Sequence, residues 1–189
     1  MPSFEIVEEI NEKDFYLRKV SQNDAPFFLD SLRETTTVKY LSLGPLKNLK
    51  KTQNLIQGYL YQWEKQKQFT YIIELRKKGD EVTKLGSTSL WNISWKHKRA
   101  DIGIWLNSQY HNKGYAKNAI DLLKIVSFIH LKLHRLQAYV ANANIKSIKL
   151  FKRCNFTKES VLRDYLFFND RYYDAILFAL LNSYTVNFH

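Results

Sequence analysis

A chain of 189 residues, 45% apolar with 12 Phe, 12 Tyr and 4 Trp, has the length and core material for one domain. Its 29 Lys and Arg against 18 Asp and Glu leave a net charge of +11. That field draws anions such as nucleic acid, acidic protein or phosphorylated small molecules, weighs against a polycationic acceptor, and also serves simply to keep a Lys-rich surface soluble. No window approaches the roughly 18 apolar residues of a membrane helix. Met1-Pro2-Ser3-Phe4-Glu5 shows no basic-then-apolar leader. The one cysteine, Cys154, excludes an internal disulfide, so a reducing cytoplasm is the expected setting.

Residues 1–14 are mixed and polar and read as a loosely held lead-in, with the domain expected over 15–185. Phe15 to Val20 is a strand pattern. Ser21 and Asp24 are spaced as a helix cap and first-turn acid ahead of Phe27, Phe28, Leu29 and Leu32. Gly44-Pro45 breaks the chain. Leu49, Thr52, Ile56, Tyr59 and Trp63 form one stripe at the helical period, which points to core or pocket wall. Phe69–Arg76, Lys84–Trp95 and Arg99–Leu106 are three β runs with short connections, the first joined through a Lys77-Lys78-Gly79-Asp80 turn, and predict an antiparallel meander. Trp91 and Trp95 are expected on one face of the middle strand. A helix follows from Lys113 to about Leu131, then a strand over Leu136–Val140. Next come a short helix with Ile145, Ile148 and Phe151 and two strands turning at Asn169-Asp170. His130 and His134 are four apart but lack a nearby third ligand, so no metal is expected.

The chain is organised around Asp101 to Phe156. A strand, an amide-rich turn and a helix start follow one another there, and that order gathers backbone N–H groups and the positive end of a helix dipole where a phosphate can sit. Gln109-Tyr110-His111-Asn112-Lys113-Gly114-Tyr115-Ala116 resembles the acyl-CoA-binding loop of the GCN5-related N-acetyltransferases, Gln/Arg-x-x-Gly-x-Gly/Ala, with His111 in the Gln/Arg slot. Arg99 to Leu106 is similar to the branch of ribosomal-protein alanine and serine N-terminal acetyltransferases, which also holds the spermidine acetyltransferases. Asn144, Ser147 and Leu150-Phe151-Lys152-Arg153-Cys154-Asn155-Phe156 resemble that family's Asn…Ser/Ala…Leu-Tyr-x-x-x-Gly-Phe helix. Phe168 to Asp174 resembles its Asn-Gly-x-Tyr-x-Asp hairpin. The resemblance spans about residues 14–182.

It implies a GNAT-like α+β fold: a mixed, mostly antiparallel sheet of six to seven strands, about four helices, and a splayed strand pair holding CoA. It implies acetyl-CoA as cosubstrate and no metal. The cofactor contacts it implies are Ile104, Trp105 and Leu106 for the pantetheine arm, Asn112, Lys113, Gly114, Tyr115 and Ala116 for the phosphates, and Asn144, Ser147 and Phe151 on the second helix. Phe151 stands where the family carries its thiolate-protonating Tyr, and a phenyl ring cannot donate. The resemblance therefore implies Ser147 as donor, with Asp101 or Asp164 as base and Glu74 as a further candidate. Tyr172 and Tyr173 either wall the amine site or fill the hairpin. The acceptor implied is a protein N-terminal amine, with a polyamine or other small amine as alternative; a homodimer is compatible with this reading, and a membrane partner is not expected. Two rival readings are a CoA-binding or sensing module without catalysis, to which Phe151 points, and a nucleic-acid-binding protein, to which the charge points without any groove-reading motif.

Overall fold

Strand β3 (Phe69–Arg76) is buried on both faces over most of its length, and the rest of the chain is arranged around it. The structure is a computed structural model that describes residues 4–182 other than Glu34, Ser42, Lys78 and Asp80. The outer part of the Lys77–Asp80 turn and the expected domain end at 185 thus lie outside the described residues. Eight strands form one sheet: β1 (Glu9–Glu12), β2 (Phe15–Lys19), β3, β4 (Val82–Ser94), β5 (Arg99–Leu106), β6 (Arg135–Ala141), β7 (Thr157–Phe168) and β8 (Arg171–Leu181), in the order β1-β2-β3-β4-β5-β6-β8-β7. Every neighbouring pair is antiparallel except β5–β6.

Strand β1 corrects the reading of a loose lead-in for the described residues 4–14. Residues 9–12 pair with β2 as an edge strand, Phe4 stacks on Trp95 at 4.4 Å, and the Glu5 N–H donates to the His130 carbonyl. Mixed polarity there reflects a strand wetted on one side.

One sheet face carries Phe69, Tyr71, Ile73, Leu90 and Ile102, and packs on helix α4 (Tyr115–Ile125) through Ala119, Ile120, Leu122 and Leu123. The other face carries Ile72 and Trp105 and packs on α1 (Ala25–Ser31), the single turn α2 (Thr35–Val38) and α3 (Leu49–Glu64) through Phe28, Leu32 and Ile56. Asn48 caps α3 by accepting from the Lys51 N–H at 2.9 Å. Of its stripe, Thr52, Ile56 and Trp63 are buried, whereas Leu49 in the first turn is exposed. α4 ends in a wider turn over Val126–His130, where the Leu131 N–H reaches back to the Val126 carbonyl. α5 (Ile145–Arg153) closes the crossover from β6, and Asn155 after it takes the left-handed φ of 64° expected of a residue in the family's glycine position. The β7–β8 turn has Asn169 and Asp170 both at positive φ, the type I′ geometry that follows a strand's own twist.

The tryptophans of β4 do not share a face. One extra residue is inserted between Trp91, opposite Asp101, and Ser94, opposite Arg99. A bulge of one residue reverses the alternation beyond it. Trp95 therefore enters the core against Phe4 and Phe69, while Trp91 lies on the other face over Gly103.

Candidate active site

The parallel pair β5–β6 is bonded only from Arg99–Arg135 to Asp101–Gln137. Beyond Asp101 the two strands part: Ile102 to Leu106 stay paired with β4, and Ala138 to Ala141 stay paired with β8. This leaves one edge of β5 without a strand partner, and a wedge opens toward the carboxyl ends of both strands. Crevices at that end of parallel strands are where α/β sheets take ligands. An extended chain bearing amides can add to such an edge as a further strand does. Ile104 and Trp105 lie on this stretch. The Trp105 ring itself packs on Phe27 and Phe28, so only its main chain is offered to the wedge. The Leu106 carbonyl meets His111 Nε2 at 3.1 Å, which folds the following loop back on the strand end.

That loop delivers the chain into α4. Asn112 has φ 61° and Gly114 φ 83°, both left-handed, and Gly114 is the helix N-cap. The first turn closes with the Lys117 N–H on the Gly114 carbonyl, so the N–H groups of Tyr115 and Ala116 precede the first intrahelical bond and point out of the helix end. A Cβ built on Gly114 meets no atom within 4 Å. The space over the loop is open, and the glycine is needed for its backbone angle. Lys113 stands over the Tyr110 ring at 5.7 Å, its ammonium beside the same opening. Open space, converging N–H groups and a lysine fit a diphosphate, and the bare β5 edge fits a pantetheine arm; the residues present therefore suit CoA.

Asn144 and Ser147 stand at the other lip, where β6 ends and α5 begins. Asn144 Oδ1 accepts from the Ser147 N–H at 3.2 Å, capping α5. Its Nδ2 and the Ser147 hydroxyl bond no described residue. Phe151 does not join them. Its ring is buried, edge-on to Phe156 at 5.1 Å and stacked on Phe178 at 6.0 Å. Cys154 is likewise buried, and burial pushes its thiol above the usual range, away from nucleophilic chemistry.

The candidate bases separate clearly. Asp164 sits in a wide bulge of β7 at φ 48°, exposed, its N–H donating to Asp174 Oδ1. Glu74 is buried but bound to Arg18 and Arg76. Asp101 is buried at the point where the strands part, and takes hydrogen bonds from Gln137 Nε2 at 2.8 Å and Asn92 Nδ2 at 3.1 Å. The sequence reading did not single out Gln137 or its neighbour Tyr139, whose hydroxyl accepts from the same Gln137 nitrogen at 3.1 Å. Their only signal was alternation on β6, which puts residues 137 and 139 on the face shared with Asp101. Burial, and then the charge of Asp101, push the Tyr139 phenol upward. Tyr173 packs on Tyr40 and Phe168, and Tyr172 lies against Phe167 with its ring largely exposed. A cavity of about 220 Å³ lies between Val38–Pro45 and the hairpin tip, and the Tyr40 hydroxyl bonds the Ala143 carbonyl beside Asn144. Among the described residues, no three His, Cys, Asp or Glu side chains gather as a metal site, and His130 takes Glu5 at 3.0 Å. No described helix is long and apolar enough to cross a membrane.

A sheet split at one parallel pair, with a glycine-opened helix start in its mouth, is a scaffold suited to a phosphorylated, amide-bearing ligand such as an acyl-CoA. The profile of the acetyltransferase (GNAT) domain matches residues 14–157, and the chain belongs to that family. It is an N-acetyltransferase of the GNAT type. "Uncharacterized N-acetyltransferase p20" of Bacillus licheniformis is 31% identical over 87% of this chain and 91% of its own length. The spermidine N(1)-acetyltransferase of Vibrio cholerae is 24% identical over 90% of this chain and 95% of its own. Among solved structures, a ribosomal L7/L12 alpha-N-protein acetyltransferase in complex with CoA superposes with a TM-score of 0.82 at 20% identity, over 92% of this chain and 98% of that one. The Vibrio cholerae spermidine N-acetyltransferase with CoA and spermine superposes with a TM-score of 0.80 at 24% identity, over 93% of this chain and all of the other.

Proposed function

We propose that the protein moves an acetyl group directly from acetyl-CoA, bound in the β5–β6 wedge, to a primary amine, with a protein N-terminal amine as acceptor. The observation that carries this is the unpaired β5 edge beyond Asp101, with the Gly114 helix start at its mouth. Main-chain N–H groups of Asn112 to Ala116, with Lys113, hold the diphosphate. The free β5 edge over Ile104, Trp105 and Leu106, together with Asn144 Nδ2, holds the pantetheine arm. Acetyl-CoA supplies the acetyl group as a thioester.

The chain supplies the proton traffic. Asp101 takes a proton from the incoming ammonium, because only the neutral amine has a lone pair for the carbonyl carbon. As the new C–N bond forms and the C–S bond breaks, a β5 main-chain N–H steadies the charge growing on the carbonyl oxygen. Ser147 Oγ gives its proton to the departing thiolate and takes the second proton that the acylated nitrogen sheds, so the hydroxyl is restored, the amide leaves neutral, and the proton on Asp101 passes to solvent. The surplus of positive charge favours a peptide over a polyamine acceptor. The polyamine reading keeps one support, the spermidine acetyltransferases among the relatives.

Calorimetric titration of CoA tests the wedge. Gly114→Leu is expected to abolish measurable CoA binding, because the side chain fills the open space, at a fold cost of about 1–2 kcal/mol from the left-handed φ. CoA affinity equal to wild type would remove the loop assignment. Ser147→Ala is expected to lower kcat about 10²-fold in an acetyl-transfer assay with unchanged CoA affinity; an unchanged kcat would leave the thiolate to be protonated by solvent.

A further inference from the structure

Asp24, Glu74 and Asp101 are the buried acids among the described residues. Arg18 and Lys84 both face Asp24, and Arg18 and Arg76 both face Glu74. Asp101 faces two neutral amides and makes no ion pair with a described residue; it feels the Arg135 guanidinium, but that group is bonded to Glu159. Gln137 and Asn92 take about two of the roughly four acceptor directions of its carboxylate. A buried carboxylate is costly unless a positive partner completes it.

Its surroundings suit such a partner from outside. Gly103 lets the Trp91 indole lie over β5 on the same face: a Cβ there would come within 2.6 Å of the ring. On the β6 side, Tyr139 and Tyr165 stack at 5.0 Å, and Tyr139 shares the Gln137 donor with Asp101. Ring faces attract cations. The Gln137 amide is held one way round. Its Oε1 accepts from Arg135 Nε at 3.0 Å, and Arg135 is clamped by Glu159 through two bonds of 2.8 and 2.6 Å. Nε2 therefore faces Asp101, and the carboxylate is aimed by a donor.

We propose that the slot between Trp91 and the Tyr139–Tyr165 pair, with Asp101 at its floor, receives the acceptor as a primary alkylammonium, and that Gln137 is the positioning residue that aims the carboxylate at it. This rests on the wedge being the transfer site. The slot takes a single compact –NH3⁺ group, which an N-terminal peptide and the aminopropyl end of a polyamine share.

The test follows the indole N–H signal of Trp91, assigned through Trp91→Phe, by NMR on the whole chain. n-Butylammonium is expected to shift it and butan-1-ol is not. Asp101→Asn abolishes the ammonium-specific shift. Gln137→Leu raises the ammonium Kd and the amine KM about tenfold, the loss of one charge-assisted bond, with the KM for acetyl-CoA unchanged. Glu159→Gln, a change at a partly exposed side chain that spares the core, raises both by a smaller factor. Parallel arms with spermidine and an N-terminal alanyl tripeptide show which source of ammonium the slot prefers. Equal shifts from ammonium and alcohol, or an unchanged ammonium Kd in folded Gln137→Leu and Glu159→Gln, overturn the proposal. If CoA fails to bind wild type, the transfer reading falls, while an ammonium-specific shift would still uphold the slot.

Discussion

The same sheet buries acid in two ways. At the β2–β4 end, Asp24 gathers Arg18 Nη1 and Nη2 at 2.8 and 2.7 Å and Lys84 Nζ at 2.6 Å, with the Ser21 N–H at 2.8 Å. Glu74 joins through Arg18, and Arg76 ties it to Glu9 at the edge strand. Every charge there is answered from within the chain. At the β5–β6 end, Asp101 takes its hydrogen bonds from amides, and the Arg135 charge that it feels is bonded to Glu159. A buried acid with internal cations locks elements together. A buried acid without them is poised for a charge that comes and goes. The first arrangement secures α1 to the sheet; the second lies at the proposed acceptor site.

Paired substitutions sharpen that contrast. Asp101→Asn has the largest expected effect, a fall in kcat/KM of about 10²–10⁴-fold, the range of a positioned general base. Stability should change by no more than about 1 kcal/mol, because the lost hydrogen-bond geometry is offset by removing an uncompensated charge. Asp24→Asn should do the reverse, costing about 3 kcal/mol in urea denaturation and leaving acetyl-CoA affinity intact. That figure is at the low end for a broken buried pair, since Arg18 and Lys84 keep contact with solvent. Equal stability losses in the two variants would break the comparison.

The smallest effect is a pH window. Burial pushes the Asp24 carboxyl upward, but hydrogen bonds from Arg18, Lys84 and the Ser21 N–H outweigh it, and the group comes down from 3.8 to about 2. A depressed acid stabilises the fold in full above its unfolded value. Its contribution should therefore be complete above about pH 4 and fade as the pH falls toward 2. Thermal melts over that range should show a steeper loss in wild type than in Asp24→Asn; parallel curves would show that the carboxylate contributes nothing.

Much of the scaffold was readable because its signals are local. Ser21 and Asp24 ahead of the first helix, Gly114 ahead of α4 and Asn169-Asp170 between two β runs each act on residues within about four positions. The same holds for the order of strands, turn and helix around Asp101. Two readings failed where a single residue or a distant partner decided. One inserted residue in β4 sent Trp91 and Trp95 to opposite faces, against a count of four that placed them together. Residues 9–12 lack an apolar run, and only β2 beside them makes them a strand.

What the amino-acid order determined by itself is the succession of elements, the caps and turns, and the helix opening that suits a phosphate. Only the tertiary structure decided which buried acid makes no ion pair with a described residue, since Arg18 and Glu74 are 56 positions apart, Asp24 and Lys84 60, and Asp101 and Gln137 36. Local propensity acts through the backbone of a few neighbours, whereas burial and charge pairing are set by whichever side chains the sheet brings alongside.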